Sequence, residues 1–145
     1  MIALIQRVTN ANVVVNGEVV GEIGPGLLAL IGVKPDDTER NVARLLERMV
    51  TYRIFQDEAN RMNRSLLDVS GGLLLVPQFT LAADTRKGTR PGFSTAAAPE
   101  QASALFDELV TQARARIPTV ATGRFGAEMR VSLTNHGPVT FWLDA

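Results

Sequence analysis

A proline lies in the middle of what otherwise looks like a buried strand. Met129-Arg130-Val131-Ser132-Leu133 leads into Asn135-His136-Gly137-Pro138, and Val139-Thr140-Phe141-Trp142-Leu143 resumes the apolar pattern. Proline has no N–H to give to a ladder and is confined to edges, bulges and turns. The chain must therefore interrupt its pairing at Gly137-Pro138 and release backbone carbonyls there. Taken alone, the dipeptide favours a simple turn between two strands. An X–Pro bond is also the common place for a cis peptide. A cis Gly137-Pro138 would aim two neighbouring carbonyl oxygens the same way, an acceptor pair suited to an ammonium group.

The rest of the chain sets the frame for that interruption. Its 145 residues fit one domain with a real core, and a 46% hydrophobic content is that of an ordinary soluble protein. No apolar run is long enough to span a bilayer, and Gln6 and Arg7 interrupt the start where a signal peptide would run on. With no cysteine, disulfides, thiolate metal sites and a cysteine nucleophile are excluded. A cytoplasmic location fits. The net charge is zero, so a nucleic-acid partner would have to be met by a local patch rather than by overall charge. Lys34 and Lys87 are the only lysines, and the other basic side chains are arginines, which suit bidentate phosphate contacts.

Periodicity predicts a mixed α/β domain over residues 1–145, with two helices packed on a strand-rich layer. Ile2 to Val8 alternates and meets an expected turn at Thr9-Asn10-Ala11-Asn12. Val13-Val14-Val15, Asn16-Gly17 and Glu18-Val19-Val20 form a hairpin signal. Gly26 to Val33 is apolar throughout, as for a strand buried on both faces. Thr38 and its neighbours offer a cap to a helix marked by Val42, Leu45, Leu46, Met49 and Val50. Tyr52 to Phe55 suggests a short strand, and Gln56 to Ser70 a polar loop. Leu73 to Val76 is a strand running into Gln78-Phe79-Thr80. Ala82 to Pro99 lacks periodicity and has the length of a binding loop. A second helix follows from Pro99, with Ala102, Leu105, Phe106, Leu109, Val110 and Ala113 on its apolar face. A short strand from Val120 and two strands flanking Gly137-Pro138 complete the expected order.

Candidate chemistry is sparse. His136 is the only histidine, so a catalytic triad would have to use it, and a histidine metal site has no second ligand. Asp36, Asp37, Asp57 and Glu58 have the look of solvated loop and capping residues. No dinucleotide or phosphate-loop fingerprint is present. Arg86-Lys87-Gly88-Thr89-Arg90 is the densest positive cluster, suited either to a phosphate or simply to solvent. At the end of the apolar strand, the Phe79 and Thr80 amides could polarise a carbonyl, and Thr80 could orient a hydroxyl or a water. No base lies beside Thr80 in sequence, so a protein nucleophile is weakly supported.

Three segments coincide with one family. Met1-Ile2-Ala3-Leu4-Ile5-Gln6-Arg7-Val8, Gln78-Phe79-Thr80-Leu81 and Asn135 to Thr140 closely resemble D-aminoacyl-tRNA deacylases. Tyr52-Arg53-Ile54-Phe55, Ala82-Ala83-Asp84-Thr85, Arg90-Pro91-Gly92-Phe93-Ser94 and Thr122-Gly123-Arg124-Phe125 fit the same family. The resemblance covers essentially the whole chain. It implies an editing hydrolase that cleaves the ester between a D-amino acid and the terminal ribose of tRNA, and that also removes glycine misplaced on alanine tRNA. It implies a homodimer with interfacial active sites, needing neither metal nor cofactor. Gln78, Phe79 and Thr80 would be the catalytic segment. Gly137 and Pro138, braced by Arg7, would enter the partner's pocket, with Phe125 and Met129 lining it. The free ribose hydroxyl of the terminal adenosine would help to activate water. Pro77 stands where many relatives have serine, and His136 where an acidic residue is frequent. Two other functions compete: a small α/β oligomer binding free D-amino acids, and a non-catalytic RNA-binding module using Arg86 to Arg90.

Overall fold

The computed structural model describes residues 1–145. Its organising element is one long strand, β1 (Ile2–Val15), which pairs along both edges. On one side its first half meets β3 (Gly26–Gly32) and its second half meets β2 (Glu18–Ile23). On the other side it meets β8 (Arg130–Asp144) along almost its whole length, from Ile2 opposite Asp144 to Val14 opposite Arg130. No turn forms at Thr9-Asn10-Ala11-Asn12. Pairing to β8 holds Asn10, Ala11 and Asn12 extended, and the polar residues sit where the register slips. The expected hairpin is present, with Asn16 and Gly17 at φ 50° and 79°, the left-handed pair a type I′ turn requires.

Beyond β3 the sheet becomes parallel. β6 (Gly72–Pro77) runs alongside β3, and β7 (Val120–Thr122) alongside β6. The sheet curls until β2 approaches β7, giving a near-barrel. A Cβ on Gly21 would collide with the Thr122 carbonyl at that closure. The strands β3 and β6 alternate between two apolar clusters. Leu27, Ala29, Ile31, Leu73 and Leu75 face the helices, whereas Leu28, Leu74 and Val76 face the inside of the curl with Val8, Val13 and Ile23. Burial on both faces explains why these strands are apolar without alternation.

Two helices cover the outer face as their spacing predicts. Helix α1 (Glu39–Thr51) starts at Thr38, whose hydroxyl and the Asn41 side chain form a reciprocal cap. The long helix α3 (Pro99–Arg116) has proline at its first turn and buries Ala102, Leu105, Phe106, Leu109, Val110 and Ala113. The segment expected to be a polar loop holds more order than its composition suggests. It contains the hairpin β4 (Phe55–Gln56) and β5 (Met62–Arg64), then the four-residue α2 (Leu66–Val69), so the helices number three rather than two. Their cause is local: Asp57 accepts from the Ala59 and Arg61 amides, and Ser65 and Asp68 cap α2 reciprocally. Tyr52 to Ile54 stay outside any strand.

Asp37 is another correction, since it is buried rather than solvated. Its Oδ1 accepts from the α-ammonium of Met1 at 2.7 Å, and its Oδ2 from the Lys34 amide at 2.6 Å. The same ammonium donates to the Ala145 carbonyl at 2.6 Å. Removing one member of a buried ion pair leaves an uncompensated charge, at a cost of about 3–5 kcal/mol. Asp37→Ala should therefore lower the urea midpoint by a loss in that range with an unchanged m-value, and Asp37→Asn should lose less.

Candidate active site

Among the parallel strands β3, β6 and β7, a cleft of about 450 Å³ opens at the carboxyl end of the central one, β6. Open α/β sheets commonly bind ligands at that edge. Pro77 and Gln78 form one wall, Phe79 the rim, Ala102 of α3 the floor, and Phe125 and Met129 the facing wall. The lining is mostly apolar. β6 stops at Pro77, which has no N–H with which to continue the ladder. The Gln78 amide still donates to the Ile31 carbonyl at 2.7 Å, and the chain then tightens into a 3-10 turn, Phe79–Ala82. Gln78-Phe79-Thr80 is thus a turn after the strand rather than its end.

That turn has consequences for its first amides. Helical turns leave their leading N–H groups without internal partners. Gln78 provides no side-chain cap, so the Phe79 and Thr80 amides remain free to donate outward. The Gln78 side chain instead donates from Nε2 to the Thr80 hydroxyl at 2.5 Å, which fixes that hydroxyl at the turn. Phe79 and Thr80 are both exposed. On the facing wall, the Met129 sulfur accepts from the Arg124 amide at 3.3 Å and lies over Gly123, where a Cβ would come within 2.8 Å of it.

Gly137-Pro138 is not a chain reversal. β8 runs straight on through it, and the residues bulge out of the ladder. Pairing with β1 passes from Thr140 opposite Gln6 to Asn135 opposite Val8, so four residues stand against Arg7 alone. The Gly137-Pro138 peptide is cis, and His136, Gly137 and Pro138 are exposed. Asn135 staples the neck of the bulge: its Oδ1 accepts from the Val139 amide at 2.6 Å, and its Nδ2 donates to the Val139 carbonyl and the Thr140 hydroxyl. Arg7 holds it from below. The side chain is 6% exposed and donates from Nε to the His136 carbonyl at 2.9 Å and from Nη1 to the Ile54 carbonyl at 2.8 Å. Sequence reasoning included Asn135 in the motif without giving it this task. Its signal was an amide side chain two residues before a Gly-Pro break.

The candidate residues fall into two groups. Gln78, Phe79, Phe125 and Met129 share the cleft, with Thr80 beside it on the turn. Gly137, Pro138 and Arg7 line no part of that cleft. No three acidic or histidine side chains gather anywhere as a metal would require. The His136 side chain is exposed, and only its carbonyl is engaged. Leading away from the 3-10 turn, the loop from Asp84 to Gly92 is closed by paired backbone bonds between its ends at 2.7 and 3.0 Å. Arg86 grips Asp84 through two hydrogen bonds of 2.8 Å each and holds its carboxyl well below the usual range.

With this geometry in place, comparison with known proteins identifies the family. The family model described as D-Tyr-tRNA(Tyr) deacylase matches residues 4–144. The chain belongs to that deacylase family. It is 65% identical to the D-aminoacyl-tRNA deacylase of Thioalkalivibrio sulfidiphilus, over 99% of this chain and 97% of that one. It is 61% identical to the corresponding Azotobacter vinelandii protein over the full length of both. Among solved structures, a protein named c-Myc DNA Unwinding Element Binding Protein superimposes with a TM-score of 0.95 at 36% identity, covering 100% of this chain and 99% of that one. The deacylase family is one of hydrolases, which makes the cleft a candidate active site.

In this deacylase-family chain the bulge also contains a backbone position that favours glycine. Gly137 has φ +145°, and an added Cβ would lie 2.6 Å from Val139 Cγ2 and 3.2 Å from Arg7 Nη2. Strained backbone of this kind costs about 1–3 kcal/mol for a non-glycine residue. Gly137→Ala should lose stability in that range by denaturant titration, whereas Gly24→Ala, with open space around it and an ordinary φ, should change little.

Proposed function

We propose that this chain removes D-amino acids from tRNA by hydrolysing the ester to the terminal adenosine. The observation that carries this proposal is the Gly137-Pro138 bulge, exposed, absent from the ladder, and held by Arg7 and Asn135. A fixed pair of main-chain acceptors suits the α-ammonium of an aminoacyl ester. Once ammonium and ester are both located, chirality dictates where the side chain points. An L side chain meets the Gly-Pro wall, a D side chain points away, and glycine has nothing to collide. Steric exclusion of one enantiomer, rather than attraction to the other, gives broad tolerance among D side chains. The same logic admits glycine misplaced on alanine tRNA.

The chemistry is acyl-ester hydrolysis at the Phe79-Thr80 turn. The two free amides would receive the developing oxyanion, each worth about 3–4 kcal/mol in comparable sites. Thr80 would position groups rather than attack. No acidic or histidine side chain lines the cleft, and the free ribose hydroxyl of the terminal adenosine would help to activate the water. Phe125 and Met129 would enclose the terminal nucleoside. A cytoplasmic setting is part of the same proposal.

In this reading the bulge and the cleft that work together belong to different copies of the chain, since one copy's bulge lines no part of its own cleft. A homodimer supplies both. β8 supports this: it pairs only with β1, which leaves its other edge open, and Trp142 in the same strand is 53% exposed. Long open edges are normally covered.

Ester loss from D-tyrosyl-tRNA and L-tyrosyl-tRNA tests the activity. Release from the D-ester with the L-ester intact is expected, and a D-ester on terminal 2′-deoxyadenosine should turn over far more slowly. Equal loss from both enantiomers would remove the stereochemical reading, and binding without ester loss would favour an RNA-binding module. Co-expression of a Gly137→Val subunit with a Thr80→Ala subunit tests the shared site. Two-fold symmetry gives mixed dimers one intact site each, so about a quarter of wild-type activity should return. No recovery would place the whole site within one copy.

A further inference from the structure

The loop between Asp84 and Gly92 is not accounted for by the cleft or by the bulge. It carries Arg86, Lys87 and Arg90 on its tip, and Asp84 is its only acidic residue, already occupied by Arg86. Neither Lys87 nor Arg90 pairs with any carboxylate. Arg86, Lys87 and Arg90, with Gly92, Ser94 and the Arg86-paired Asp84, line a concavity of about 460 Å³ that no apolar residue lines. In a chain of zero net charge, unpaired cations collected on one ordered loop form a local positive field.

The loop is also tied to the candidate active site. Immediately after its closing bridge comes Phe93, whose ring packs against Phe79 with centroids 5.2 Å apart. Two residues on, the Thr95 hydroxyl donates to the Ala82 carbonyl at 2.6 Å, at the end of the catalytic turn. The concavity therefore has a fixed relation to the Phe79 and Thr80 amides.

We propose that Lys87 and Arg90, with the outer face of Arg86, bind backbone phosphates of the substrate tRNA upstream of its terminal adenosine. This rests on the proposed deacylase activity and adds a surface to it. An ester held at the Phe79-Thr80 turn continues into a polyanion that must leave the cleft across its rim. At that rim Phe79 packs at a tilt against Phe93, the residue that follows the basic loop. Contacts of this kind position the nucleic acid and carry no base sequence, so they suit an enzyme that accepts many tRNAs.

The double variant Lys87→Ala/Arg90→Ala tests this on two substrates: D-tyrosyl-tRNA, and D-tyrosyl-adenosine, which lacks upstream phosphates. KM for the tRNA ester should rise about tenfold, and the slope of log KM against log salt should fall by about 1.5, for two lost phosphate contacts. Hydrolysis of D-tyrosyl-adenosine should stay within about twofold of wild type. Arg44→Ala, an exposed arginine on α1, should leave both substrates unchanged. A tRNA KM within twofold of wild type would overturn the proposal. So would an equal fall on both substrates, since the loop would then act through its packing on Phe79, and so would a rise of the same size in Arg44→Ala. Binding of uncharged tRNA gives the same comparison without chemistry. A wild type that binds tRNA through this loop but cleaves no D-ester would refute the proposed activity and leave this surface standing.

Discussion

A buried guanidinium without a carboxylate partner ties the bulge to the rest of the fold. Arg7 sits in the middle of β1, nearly sealed from solvent, and spends its donors on two main-chain carbonyls from different parts of the chain. One is His136, the foot of the bulge. The other is Ile54, where the chain leaves α1 and heads for the β4–β5 hairpin. Burying a charge is costly unless it is well hydrogen-bonded. Arginine meets that need with a planar fork that reaches two carbonyls at once, which lysine's single ammonium does less well. The bulge is thus a fixed shape rather than a slack insertion.

The division of labour follows from the sheet. Parallel strands place a cleft at their carboxyl ends, whereas the antiparallel partner of β1 carries the bulge along a free edge. A chain built this way presents a cleft and an exposed bulge at separate places. Neither needs side-chain nucleophiles. In the proposed reaction the working groups are main-chain ones, amides at a 3-10 turn and carbonyls at a bulge, which suits a sequence so poor in histidine and devoid of cysteine.

Much of this was legible in the residues, for identifiable reasons. The apolar faces of α1 and α3 repeat at helical spacing, and all eleven of the positions they marked are buried. β3 was visible as an unbroken apolar run because both of its faces are covered. The break at Gly137-Pro138 was visible because proline cannot pair. What composition hid was long-range. Thr9 to Asn12 looks like a turn, yet pairing with a strand from the far end of the chain keeps it extended. The polar stretch from Gln56 to Ser70 looks unstructured, yet Asp57, Ser65 and Asp68 order it through local caps. Asp37 looks like a solvated cap because nothing in its neighbourhood announces the α-ammonium that it meets.

The pairing of β1 with β8 joins residues from opposite ends of the sequence, Ile2 with Asp144 at its extreme. Contacts of such separation must overcome a large loop-closure entropy before they stabilise anything, and they slow folding accordingly. During synthesis the amino-terminal strand has nothing to zip against on that side until the final segment emerges. The bulge is part of that segment. The bulge takes shape only once that distant pairing forms, and a product cut short before Asn135 would lack it from the outset.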